Sequence, residues 1–156
     1  MLKENSKAPE FELRNSKGEV VKISDFKGKP FILYFYPKDD TPGCTTEACN
    51  FRDDFGLYEA IGIEIVGVSP DSNKSHQKFT DKHHLPFLLL SDEGHKVADK
   101  YEVWGKKKFM GNEYYGILRT TFLIDKKGII AKVFEGVKPA NHSQEVLTEA
   151  KKLLKK

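Results

Sequence analysis

The sequence predicts an α/β fold: a central mixed β-sheet flanked by helices and opened by an N-terminal β-hairpin. Three observations carry this expectation. Continuous apolar runs ("PFILYFYP", "IEIVGVSP", "LPFLLLSD") have the length of buried strands. Segments with apolar residues every three or four positions alternate with those runs. Near the C-terminus, "TTFLIDKKGIIAKVFEGV" folds back across residues 126–128 as a second hairpin, which mixes the sheet.

Taken in order, "FELRNSKGEVVKI" is two short strand-like runs about a Gly-containing turn. "PFILYFYP" is a central strand closed by Pro37. From Cys44 the pattern turns helical, with Ala48, Phe51, Phe55 and Tyr58 along one side. "IEIVGVSP" is the next buried strand, and Ser69 or Asp71 is positioned to begin the helix after it. "LPFLLLSD" gives another strand, then "EGHKVADKYEV" a helix and a Gly-rich loop. Val146, Leu147, Ala150, Leu153 and Leu154 define the apolar face of a C-terminal amphipathic helix. No repeat, linker or low-complexity tract interrupts residues 1–156, which are read as one domain.

The composition excludes several function classes. With 156 residues, 38% hydrophobic and 31% charged, the chain suits a single core. A net charge of +3, from 26 basic and 23 acidic residues, gives no nucleic-acid footprint, and the lysines are dispersed. The basic "AKKLLKK" is a solvated helix end. "MLKENSKAPEF" lacks the apolar core of a secretion signal, and no run approaches the ~18 apolar residues of a membrane span. The expectation is a cytoplasmic protein without a membrane partner. In that compartment, two neighbouring cysteines point to redox or metal chemistry before a permanent cross-link.

Cys44 and Cys49 are the only cysteines of the chain. Three readings apply to them: half of a metal site, two inert buried thiols, or a nucleophile with a companion. The histidines (His76, His83, His84, His95 and His142) show no ligand spacing with the pair. Packing as a small hydrophobe is common for free cysteine. Cys44, however, follows Pro42 and Gly43 at the start of a helix. Unpaired N–H groups and the positive end of the helix dipole stabilise an anion there, and a thiolate is such an anion. Helix geometry puts five-residue neighbours about 8.6 Å apart at Cα. A disulfide needs roughly 4.4–6.8 Å. Should the two thiols bond, the first turns of the helix must unwind.

The string from Pro37 to Cys44 reads P-x-x-x-T-x-x-C, with Thr41 three residues before the cysteine. Here the sequence resembles the peroxiredoxins, and "YPKDDTPGCTTEAC" resembles their bacterioferritin-comigratory (Q-type) branch. "GVSPDSNKSHQKF", "LPFLLLSD", "YEVWG" and "GILRTTFLID" extend the resemblance over nearly the whole chain. It implies a thioredoxin-like fold and a thiol peroxidase that reduces hydrogen peroxide and organic hydroperoxides, with no metal, haem or flavin. Carried over by residue, Cys44 is the peroxidatic cysteine and Cys49 the resolving cysteine, joined in an intramolecular disulfide. Thr41 hydrogen-bonds the peroxide, Pro37 shapes and shields the pocket, and Arg119 supplies its permanent cation. The implied reductant is thioredoxin or a similar dithiol, and the implied assembly a monomer or a dimer. Glu47 fits two readings equally, an orienter of Arg119 or a first-turn acid opposing the helix dipole, and is not counted among the site residues. Glu102 stands where many Q-type sequences carry glycine. Two other functions compete: a dithiol–disulfide oxidoreductase acting on proteins, and a redox-switched binding or holdase protein that exposes Phe51 and Phe55.

Overall fold

A computed structural model describes residues 2–155. Seven strands form one mixed sheet. Its centre is parallel: β3 (Phe31–Phe35) pairs with β4 (Glu64–Ser69), and β4 with β5 (Leu88–Ser91). Parallel neighbours require helical crossovers, supplied by α1 (Pro42–Asp53) with α2 (Phe55–Ala60), and by α3 (Asn73–His83). Antiparallel strands flank the centre. β1 (Glu12–Asn15) and β2 (Val20–Lys22) form the N-terminal hairpin, while β8 (Thr120–Ile124) and β9 (Ile130–Glu135) form the late one. The order across the sheet is β2-β1-β5-β4-β3-β8-β9.

All five residues of β3 are buried because the sheet is covered on both faces. Ile32, Tyr34 and Tyr36 pack with Cys44, Ala48, Phe51 and the C-terminal helix α5 (His142–Leu154). Phe31, Leu33 and Phe35 face the other way, toward Ala98 and Tyr101 around α4 (Lys96–Lys100). Side chains alternate along a strand, so a strand covered twice is apolar throughout. The unbroken "FILYF" is the sequence signature of that position.

The structure departs from the sequence expectations in local ways. The helical run after Cys44 is broken at Asp54, whose side chain turns to accept hydrogen bonds from Ser143 Oγ (2.8 Å) and Gln144 Nε2 (2.9 Å) of α5. Helix α3 is capped by Ser72, not by Ser69 or Asp71: Ser72 Oγ accepts from the Ser75 N–H at 3.1 Å. Ser69 ends β4, and its hydroxyl donates to Asp71 instead. The expected Gly-rich loop is a hairpin of β6 (Trp104–Phe109) and β7 (Asn112–Ile117). Met110 and Gly111 form its two-residue turn with φ of 51° and 84°, as a primed turn requires. This hairpin leaves Phe109, Met110, Tyr114 and Tyr115 exposed, so no apolar alternation advertises it. Glu102 has φ 58°, the left-handed region in which glycine is unstrained. Among the described residues, no helix is long and apolar enough to cross a membrane.

Candidate active site

Thr41 is the N-cap of α1 in an extended conformation (φ −91°, ψ 155°), and Pro42 occupies the first helical position. Proline has no N–H to leave orphaned there, and its φ already suits the helix. Cys44 therefore lies in the first turn, where N–H groups have no carbonyl four residues back. Its side chain is buried against the sheet.

The sheet delivers the partner. In the antiparallel β3–β8 register, Phe35 faces Thr120, so Arg119 precedes β8 beside the chain leaving β3. Its guanidinium donates from Nη2 to Cys44 Sγ at 3.1 Å and from Nη1 to Glu47 Oε1 at 3.3 Å. Cys44 and Glu47 are three apart on one helix and so share a face, and one planar guanidinium spans both. Gly43 makes room for it: a Cβ there would stand 2.8 Å from Arg119 Nη2.

Glu47 is only 1% exposed, and its Oε2 has no hydrogen-bond partner among the described residues. Burial pushes its carboxyl up to about 7, outweighing the opposing pull of Arg119, which engages only Oε1. A second cation stands nearby. Lys107 Nζ, on β6, donates to the Ile117 carbonyl at 2.8 Å. Burial and repulsion from Arg119 hold its ammonium below the usual lysine range, while the Cys44 sulfur pulls the other way.

Thr41 directs its hydroxyl proton to the Lys38 carbonyl at 2.9 Å rather than to the sulfur, leaving oxygen lone pairs to accept a further hydrogen bond. Pro37 is half-buried directly after Tyr36, in the loop between β3 and α1. Cys49 is a free thiol, half-buried where Cys44 is fully buried. The fold thus unites Cys44 with Arg119, sets Thr41 and Pro37 in the preceding loop, and keeps the two thiols unbonded on an intact helix. Of the two readings of Glu47, the structure supports the partner of Arg119: the residue lies beyond the first turn of α1, which holds no acidic side chain, and its burial was not legible in the sequence. Lys107 carried no sequence signal at all.

The sequence profile described as the AhpC/TSA family matches residues 5–133. Peroxiredoxin Bcp of Bacillus subtilis (strain 168) is 53% identical over 150 residues, covering 96% of each chain. Among solved structures, a cysteine-to-serine mutant of Xylella fastidiosa PrxQ is similar with a TM-score of 0.89 and 31% identity, over 98% of this chain and 99% of that one. The bacterioferritin comigratory protein of Xanthomonas campestris gives a TM-score of 0.86 and 35% identity over 90% of each chain. The thioredoxin-like fold implied by the sequence is therefore the fold observed. With a profile spanning most of its length and a relative this similar over nearly all of it, the chain belongs to the AhpC/TSA family, in its Bcp/peroxiredoxin Q branch.

Proposed function

We propose that this peroxiredoxin works as a single-domain thiol peroxidase in which Cys44 attacks hydroperoxides and Cys49 resolves the product. The carrying observation is the 3.1 Å contact from Arg119 Nη2 to a sulfur in the first turn of a helix. A permanent cation and the helix N-terminus both favour the thiolate, which is the reactive form. The structure determined for the Xanthomonas campestris relative concerned its alkyl peroxide reduction activity, and we extend that substrate class, with hydrogen peroxide, to this chain.

In the first step the Cys44 thiolate attacks the terminal oxygen of the peroxide. The S–O bond forms, the O–O bond breaks, and water or an alcohol leaves after taking up a proton. Negative charge grows on the leaving oxygen, where Arg119 and the first-turn N–H groups stabilise it. Thr41, with its own proton committed to Lys38, accepts a hydrogen bond from the peroxide O–H. Pro37 limits water at the sulfur. The start of α1 then unwinds, and the Cys49 thiol condenses with the Cys44 sulfenic acid to give a disulfide and water. Thioredoxin or a similar dithiol returns both thiols.

The test is intact mass under non-reducing conditions after limiting hydrogen peroxide. The wild type should lose two hydrogens and remain a monomer by mass. Cys49→Ser should show an added oxygen or a mixed product, and Cys44→Ser no change. Reaction of Cys44→Ser at the wild-type rate would overturn the assignment. Brisk insulin reduction without peroxide consumption would favour a protein-disulfide oxidoreductase instead.

A further inference from the structure

Beyond the site lies a buried polar cluster that the chemistry above does not use. His76, on α3, is 0% exposed and Asp39 is 7% exposed. His76 Nε2 sits 3.0 Å from the Leu90 carbonyl oxygen, and Nδ1 sits 2.7 Å from Asp39 Oδ2. A carbonyl only accepts, so Nε2 carries a hydrogen, and the Nδ1–carboxyl contact shares another. Ser75 Oγ donates to the same Asp39 oxygen at 2.8 Å, and the Tyr36 hydroxyl donates to Asp39 Oδ1 at 2.5 Å. Candidate ligand atoms of Asp39, Asp71 and His76 lie within 4.8 Å of one another. Both His76 nitrogens and both Asp39 oxygens are already engaged, and Asp71 Oδ2 accepts from the Asp39 N–H (2.8 Å) and from Ser69 Oγ (2.7 Å). The cluster is a hydrogen-bonded clasp and not a cation cage.

What it clasps is the loop that carries Pro37 and Thr41. The peptide between Lys38 and Asp39 is fixed at both ends: its N–H donates to Asp71, and its carbonyl accepts the Thr41 hydroxyl proton. A peptide unit is planar, so tilting it turns the acceptor that sets the Thr41 rotor. The next residue, Asp40, has φ 59° and is tied to α3 through Lys82 Nζ at 2.8 Å. Cys44 and Arg119 depend on none of these bonds, being joined through α1 and the start of β8.

We propose that Asp39 and His76 are positioning residues for peroxide reduction, holding the 37–41 loop so that the Thr41 oxygen faces the bound peroxide. The inference rests on Cys44 being the peroxidatic nucleophile. The clasp acts on the peroxide step and not on the reactivity of the sulfur itself. A misplacement of about 1 Å at a reacting centre can cost on the order of 10²-fold in rate.

Three reduced proteins decide it: wild type, Asp39→Ala and Asp39→Asn. For each, the second-order rate with hydrogen peroxide is measured beside the rate of Cys44 alkylation by iodoacetamide, which needs the thiolate but not the peroxide geometry. Asparagine can accept from Tyr36 through its oxygen and donate to a neutral His76 through its amide, so it preserves the clasp without charge. The expected result is a ~10- to 100-fold loss with peroxide in Asp39→Ala, alkylation unchanged within about twofold, and recovery in Asp39→Asn. If Asp39→Ala does not fold, His76→Gln, with one donor group for two acceptors, is read in the same way. Equal peroxide rates in wild type and variant overturn the clasp alone, as does a proportional fall of both rates, or an Asp39→Asn as impaired as Asp39→Ala. A wild type that consumes no peroxide overturns the peroxidase reading and the clasp with it.

Discussion

Replacing Glu47 by glutamine tests the electrostatics of the site through stability. An unfolded glutamate ionises near 4.5, whereas burial raises the folded carboxyl to about 7. Below pH 4.5 both states hold the proton and nothing is lost. Between those values the unfolded chain releases a proton that the folded one keeps, so stability falls as pH rises. Each pH unit of that interval is worth about 1.4 kcal/mol, so the whole is on the order of 3 kcal/mol. A glutamine keeps an oxygen to accept from Arg119 Nη1 and carries no charge to desolvate. Urea unfolding of the reduced proteins from pH 4.5 to pH 8, wild type beside Glu47→Gln, provides the assay. The variant should gain on the wild type by roughly 3 kcal/mol across this range, most of it before pH 7.5. Parallel stability profiles would show that the buried carboxyl is not strained by ionisation, and the account of the Arg119–Glu47 pair would be wrong.

Arg119→Met should lower the peroxide rate by about 10²–10³, the loss seen when one preorganised donor is removed, as read by stopped-flow fluorescence; a change below threefold would remove Arg119 from the mechanism. The same variant strands Glu47 without a cation, so it should be less stable than wild type by a wider margin at pH 8 than at pH 5. Gly43→Ala puts a Cβ 2.8 Å from Arg119 Nη2 but suits a helix. Its urea midpoint should hold while its peroxide rate falls at least about tenfold, and an unchanged rate would mean that the guanidinium has room to move. Thr41→Val should slow the peroxide step while Thr41→Ser keeps most of it, since only the acceptor oxygen is needed; equal rates for the two would refute that role. Amide exchange over residues 42–49 should quicken in the oxidised protein, and equal protection in both redox states would count against unwinding of α1.

Much of this was written in the chain itself. Local rules suffice for a proline at a helix start, a cysteine in its first turn, and a strand apolar on both faces, because each depends on neighbours in sequence. The five-residue spacing of Cys44 and Cys49 likewise declares that an intact helix keeps them apart. The motif around them singled out Cys44, Cys49, Thr41 and Pro37, and the resemblance of the later "GILRTTFLID" singled out Arg119.

Other features needed the tertiary structure, for one physical reason. They arise between residues far apart in sequence, where periodicity and propensity carry no information. The sequence left Glu47 between two roles, and the β3–β8 register decides it by bringing Arg119 against the buried carboxyl. Asp39 and His76 are 37 positions apart and meet only because α3 packs beside the end of β3. The β6–β7 hairpin escaped notice because its strands are exposed and their pattern is not apolar. Sequence alone determined the family and singled out the two thiols to which the proposed chemistry is assigned. Only the tertiary structure decided that the start of β8 brings Arg119 to Cys44 and that α3 ties down the loop before the helix, because both depend on partners remote in sequence.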